Sequence, residues 1–162
     1  MIYLVEGLNA SGKSTYIRGQ LQKNPNAISF STPWLNPLRH PEKFSYWITD
    51  WDSFLYGAYE SVCLTLKVLD KDVYWDRTFI SAWAYNSHIE RSTMMDLLGC
   101  FKKKEVKLIL LDTPIDICMD RFYGRDEDKS YVEHFDDKKA LRAHWVECRE
   151  RLVDTFNKFY SL

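Results

Sequence analysis

Residues 7–14 read GLNASGKS and fit the pattern GxxxxGK[ST]. Side chains of these types at this spacing can hold a chain of phosphates. Gly7 and Gly12 permit backbone conformations that turn N–H groups inward, towards anionic oxygens. Asn9, Ala10, Ser11, Gly12, Lys13, Ser14 and Thr15 then form the wall of that cradle. Lys13 places an ammonium against the β- and γ-phosphates. Ser14 offers a hydroxyl to Mg²⁺. A helix that opens here adds the positive end of its dipole. The chemistry expected is binding of ATP as its magnesium complex and transfer of the γ-phosphoryl to an acceptor. Such a reaction needs little covalent help but much positioning and positive charge. The acids that end apolar runs, Asp76 in DVYWD and Asp112 in LILLD, are the next candidates; Arg77 follows the first, and Arg121 and Arg125 come after the second. Each has a plainer reading: a strand-end ion pair for Asp76 and Arg77, a helix cap for Asp112, and a solvated charged loop for Arg121 and Arg125.

The elements that must position these groups follow from patterning. Residues 2–6 are apolar and branched and meet a glycine, which reads as a buried strand. A loop over 7–13 and a helix over 14–23 follow, closed by Asn24, Pro25 and Asn26. Residues 27–30 form a second strand, and 31–41, with three prolines, a loop. Apolar residues recur at helical spacing from Trp51 to Leu69, predicting a helix over 50–69. Residues 72–76 give a third strand. Residues 79–104 are mostly helix, interrupted near Ser92 or Gly99, and 106–111 (VKLILL) give a fourth strand. Thr113 reads as an N-cap with Pro114 at the first helical position and Asp116 completing the capping pair, for a helix running to about Tyr123. A charged loop over 124–130 precedes a terminal helix over 131–160. Strands alternating with helices imply parallel pairing and an α/β sandwich, read as one domain over 1–162.

Composition narrows the partners. The chain has 162 residues and a formal net charge of −1, from 22 basic and 23 acidic residues. A duplex-DNA binder is usually far more basic, so DNA is not the favoured partner. Cys63, Cys100, Cys118 and Cys148 form no CxxC pair and read as free thiols of a cytoplasmic protein. The four histidines lack metal-ligand spacing. No apolar run approaches the roughly 20 residues that span a bilayer, so no membrane partner is expected. A guanine-recognition NKxD motif is absent, which sets GTPases aside. Neither strand-ending acid is followed by Glu, which sets motor and AAA-type ATPases aside in favour of a kinase.

Three segments resemble the thymidylate kinase family. YLVEGLNASGKST (3–15) is similar to its phosphate loop, EGxDxxGKST. DRTFISAWAYN (76–86) is similar to its Asp-Arg-aromatic motif. LILLDTPIDICMDRFYGRDED (108–128) resembles its strand, Pro-initiated helix and arginine-bearing lid, a pattern shared with deoxynucleoside kinases. The resemblance implies a P-loop NTPase three-layer sandwich whose short parallel sheet has four or five strands in the order 2-3-1-4, with a lid at about 121–130. By the same resemblance, Asp76 helps organise Mg²⁺, which with Ser14 makes the metal site. Arg77 touches the transferring phosphoryl or the acceptor, and Arg121 and Arg125 close over the triphosphate. Lys13, Asp76, Arg77, Arg121 and Arg125 are thus the catalytic set.

Three departures bear on the acceptor. Asn9 stands where the family usually has Asp. The arginine expected after the second strand is missing, with Arg39 the nearest substitute. No Lys or Arg occurs between Lys43 and Lys67, where the family carries an arginine for the acceptor monophosphate. The leading expectation is transfer of the γ-phosphoryl from ATP to a pyrimidine nucleotide or deoxynucleotide, as in thymidylate kinases. The alternatives are transfer to a hydroxyl of a deoxynucleoside or of a modified pyrimidine such as 5-hydroxymethyluracil, in DNA or free, and a nucleotide-binding regulator without turnover. For a hydroxyl acceptor, Glu42, Asp50 and Asp52 are candidate bases. Trp34, Trp47, Trp51, Phe54, Tyr56 and Tyr59 could stack on a base. The chain is read as compatible with a homodimer.

Overall fold

A computed structural model describes residues 1–31, 51–85, 90–101, 105–125, 135 and 137–161, with backbone alone for 51–55. Four strands form one parallel sheet in the order β2-β3-β1-β4, as expected. β1 (Ile2–Glu6) lies centrally, with Leu4 opposite Trp75 of β3 (Val73–Asp76) and Leu108 of β4 (Val106–Leu110). Burial on both faces explains why Ile2, Leu4 and Val5 are apolar without alternation. β2 (Ile28–Ser31) is an edge strand, one residue later than the sequence suggests. Its exposed positions are Ser29 and Ser31, while Ile28 and Phe30 are half-buried. That alternation is what a strand covered on one face shows.

Helices cover the sheet. α1 (Lys13–Lys23) follows β1 and packs on β2 and β3. α2 (Trp51–Lys67) precedes β3. The predicted helical stretch 79–104 contains two helices, α3 (Phe79–Tyr85) and α4 (Arg91–Gly99). Glu90, with φ −74° and ψ 150°, is extended and starts α4 afresh. α5 (Ile115–Tyr123) follows β4. α6 (Lys138–Ser161) closes the fold with a buried stripe at Leu141, Trp145, Cys148, Leu152 and Thr155. That spacing of four and three residues is one face of a helix.

Trp75, Trp145, Phe79 and Leu4 are among the largest fully buried side chains, so the core sits between β3, β1 and the α3–α6 side of the sheet. Two sequence expectations change here. Thr113 does not cap α5. Pro114 takes the cap position with ψ 138°, and among the described residues no side chain makes a capping bond there. The terminal helix starts at Lys138, because the Asp137 carboxylate accepts the Ala140 N–H at 2.7 Å and so caps it. Arg39, Glu42, Asp50, Trp34 and Trp47 lie outside the described residues, as do residues 126–130 of the expected lid. The side chains of Trp51, Asp52 and Phe54 lie outside them too.

Candidate functional site

β1 runs straight into the GLNASGKS loop, and α1 begins at its lysine. The loop needs left-handed backbone at Gly7 (φ 146°), Ala10 (φ 60°) and Gly12 (φ 99°). At Gly7 the requirement is doubled, because a Cβ there would stand 2.7 Å from Leu111 O and 2.7 Å from Ser11 Oγ. The loop is clasped from the side by the β4–α5 connection. The Thr113 hydroxyl donates to Ser11 O at 2.9 Å, and Leu111 N–H donates to Glu6 O at 2.9 Å. Thr113 thus serves the phosphate loop and not its own helix.

Lys13 is 5% exposed, and its ammonium donates to Gly7 O and Leu8 O, each at 2.8 Å. The loop's own carbonyls hold the charge. Burial, and then the neighbouring Arg77 guanidinium, push its pKa down to about 8, against the pull of Asp76 and Glu6. Ser14 and Thr15 are exposed at the start of α1.

Arg77 reaches the same loop from β3. Its guanidinium donates to Asn9 Oδ1 at 2.6 Å, and the Asn9 N–H donates to the Tyr85 hydroxyl at 3.0 Å. Arg77 does this from a left-handed backbone, φ 59°. For a residue with a Cβ that conformation costs of order 1 kcal/mol or more, and it persists only where neighbours over-determine it. Glu6 bonds the residue that follows Arg77. Its side chain is 1% exposed, and its carboxylate accepts the Thr78 N–H at 3.1 Å and the hydroxyls of Thr78 and Ser81. Burial raises its pKa, opposed by these hydroxyls and by Lys13.

Asp76 ends β3 beside a cavity of about 420 Å³ lined also by Ser14, Arg18, Ser29, Phe30 and Ser31. Its Oδ1 is buried with no hydrogen-bond partner among the described residues. A bare carboxylate oxygen is costly unless something compensates it. A hard divalent cation taking oxygen ligands fits Asp76 Oδ1 and the Ser14 hydroxyl. Among the described residues no cluster of three His, Cys, Asp or Glu side chains could hold a metal alone. Such an ion would need phosphate oxygens as well.

The structure therefore brings together Asn9, Ala10, Ser11, Gly12, Lys13, Ser14, Thr15, Asp76 and Arg77. Arg121, in the last turn of α5, and Arg125, just past it, are exposed. Cys118, one turn before Arg121, lies in the field of both Lys13 and Arg121. Asp112 gives both oxygens to Arg149, each at 2.6 Å. Sequence reasoning missed Glu6, Tyr85 and Arg18. A charge closing an apolar strand was the available signal for Glu6. Arg18, four residues after Ser14, shares its helix face.

A parallel sheet in this order, with a glycine loop wrapped around a lysine at the end of its first strand, is the P-loop kinase fold. The profile of a family described as an AAA domain matches residues 2–153, and the chain belongs to that family. Neither of its strand-ending acids, Asp76 and Asp112, is followed by Glu. No curated protein sequence matches the chain. Among solved structures, deoxyadenosine kinase from M. mycoides, with dCMP and a flexible dCDP bound, superposes with a TM-score of 0.60 at 14% identity. That match covers 98% of this chain and 84% of that one. Shikimate kinase from Bacteroides thetaiotaomicron gives 0.63 at 11% identity, covering 97% and 82%. The YorR protein of Bacillus subtilis, in complex with phosphorylated GDP, gives 0.61 at 15%, covering 96% and 80%. The fold is shared with all three. Among the described residues no helix is long and apolar enough to cross a membrane.

Proposed function

We propose that this chain is an ATP-dependent phosphotransferase that moves the γ-phosphoryl to a pyrimidine deoxynucleotide, in the manner of thymidylate kinases. The observation that carries the reading is the cavity in which Ser14 and Asp76 of the phosphate side meet Arg18, Ser29 and Ser31. Donor and acceptor would then meet within one recess, as in-line transfer requires. The cradle 9–15 takes the triphosphate, and Lys13 leaves Gly7 O and Leu8 O for its oxygens. Ser14 and Asp76 would hold Mg²⁺, whose positive charge would offset that of the phosphates. Arg77, bonded at the loop to Asn9, would touch the transferring group, and Arg121 in α5 and Arg125 just past it would close over the triphosphate. Arg18 supplies the acceptor-side cation that the stretch between Lys43 and Lys67 lacks. A phosphate dianion buried without such a cation would be very costly.

Transfer to a hydroxyl is the second reading. The Asp76 carboxylate in the same cavity favours an uncharged acceptor, such as a deoxynucleoside or a 5-hydroxymethylpyrimidine. The deoxyadenosine kinase among the structural neighbours, solved with nucleotides bound, fits a nucleoside-sized acceptor.

Incubation with MgATP and dTMP, dUMP, thymidine or 5-hydroxymethyl-dUMP, followed by mass spectrometry, tests both. The expected product is a pyrimidine diphosphate, and Arg18→Ala should raise the KM of the nucleotide more than tenfold at constant KM for ATP. Phosphorylation of thymidine alone selects the second reading. Tight ATP binding without transfer to any acceptor would leave a regulator.

A further inference from the structure

We propose that Glu6 is a positioning residue for Arg77, acting through Thr78 and Ser81. A carboxylate this deep in a sheet is an anomaly on its own strand, where Ile2, Leu4 and Val5 are buried and apolar. Both of its oxygens accept hydrogen bonds. One oxygen takes both the N–H and the hydroxyl of Thr78, and the other takes the hydroxyl of Ser81. The Thr78 N–H belongs to the peptide that directly follows Arg77. Glu6 therefore grips the peptide unit whose orientation sets the left-handed turn at Arg77 (φ 59°). The Thr78 hydroxyl also accepts the Ile80 N–H at 3.1 Å, so the same grip fixes the first turn of α3. α3 carries Tyr85, which holds the Asn9 N–H, and Asn9 in turn receives the Arg77 guanidinium. The path leaves β1 at Glu6, passes through Thr78 and α3, and returns to the phosphate loop at Asn9 from both ends. Glu6 touches no phosphate site itself.

The inference uses the kinase reading for one readout and carries a second that is independent of it. Glu6→Ala, Glu6→Gln, Arg77→Ala and the two double variants are compared. Glu6→Ala should lower kcat more than tenfold while KM for ATP changes less than about twofold. Glu6→Gln should keep kcat within about threefold, because its amide oxygen still accepts from Thr78 and its NH₂ can donate to the Ser81 hydroxyl. In the Arg77→Ala background, Glu6→Ala should add less than twofold, since residues that act through one another are not additive. Full additivity, or parallel loss of kcat and ATP affinity, would overturn the proposal, as would unchanged kcat in Glu6→Ala. Should Glu6→Ala fail to fold, Thr78→Ala and Ser81→Ala carry the same expectations. The Arg77 guanidinium resonance, assigned by its loss in Arg77→Ala, should be displaced by its bond to Asn9 in the wild type. It should return to the solvent-exposed position in Glu6→Ala. A wild type with that displaced resonance but no turnover would sink the kinase reading alone. An undisplaced wild-type resonance, or an unmoved one in Glu6→Ala, sinks the proposal.

Discussion

Arg77 shows how much of this site is backbone geometry. Its guanidinium reaches Asn9 Oδ1 from a residue whose backbone is left-handed, at a φ of 59°. Removing the side chain and relaxing the backbone are separable. Arg77→Ala keeps a Cβ in the left-handed region, whereas Arg77→Gly does not, so Gly should be the more stable of the two by about 1 kcal/mol. Both should lose more than tenfold in turnover, because neither has a guanidinium. Thermal melts alongside steady-state rates check this. Equal melting of the two variants would mean that the turn at residue 77 stores no strain. The types and order of Lys13, Asp76 and Arg77 were legible in the sequence, since their chemistry is local to motifs. Asn9 was legible as a departure, but its partner was not. Its tie to Arg77 spans 68 positions, and no spacing rule reaches that far.

At the scale of elements, junctions decide more than the elements themselves. The four strands were readable because each is a short apolar run between breakers. Thr113 was misread because the S/T-x-x-E/D pattern describes a local bond, and its hydroxyl spends itself on Ser11 O instead. The start of α6 was misread because periodicity continues upstream of the Asp137 cap. Gly7 is the tightest junction. Gly7→Ala brings a Cβ to 2.7 Å from the Leu111 carbonyl, a backbone atom that cannot swing away. Strain at φ 146° adds to the clash. A loss of about 1–3 kcal/mol in chemical denaturation is expected, with weakened ATP binding. Wild-type stability in Gly7→Ala would show that the β4–α5 clasp is not closely packed.

A second prediction at this scale concerns α6. His144 packs against Tyr85 and Phe135, with ring centroids 6.0 and 5.1 Å away, and meets Cys148 at 3.4 Å. Burial chiefly, and then Arg151, lower its pKa from 6.5, with Glu147 pulling the other way. The folded state therefore prefers the neutral ring. As pH falls below about 6.5, the unfolded chain takes up this proton first, so stability declines until the folded pKa is also passed. Above 6.5 the group contributes no slope. Denaturation between pH 5 and 7 should show that decline, and His144→Gln should flatten it. An unchanged slope in the variant would assign the acid sensitivity to other groups.

The whole molecule couples these junctions because its sheet is continuous. β1 carries the loop at its end and pairs with both β3 and β4, and these deliver Asp76 and the clasp. A ligand on the loop should therefore stabilise the entire sheet, not only the segment it touches. If residues 1–162 fold as one domain, heating should give a single transition, with equal calorimetric and van't Hoff enthalpies. MgATP at a hundredfold excess over its Kd adds about 2.7 kcal/mol to the folded state. In a chain of this length each kcal/mol moves the midpoint by about 2–4 °C, so the whole transition should rise by about 5–10 °C. Lys13→Ala should abolish most of that rise yet leave the ligand-free midpoint unchanged or higher. The reason is that its ammonium, 5% exposed, is costly to bury, and this outweighs the loop carbonyls that accept from it and the pull of Asp76 and Glu6. Two resolved transitions, only one of them moved by MgATP, would separate the sheet into independent units and contradict this coupling. A full shift retained in Lys13→Ala would remove the lysine from the nucleotide site.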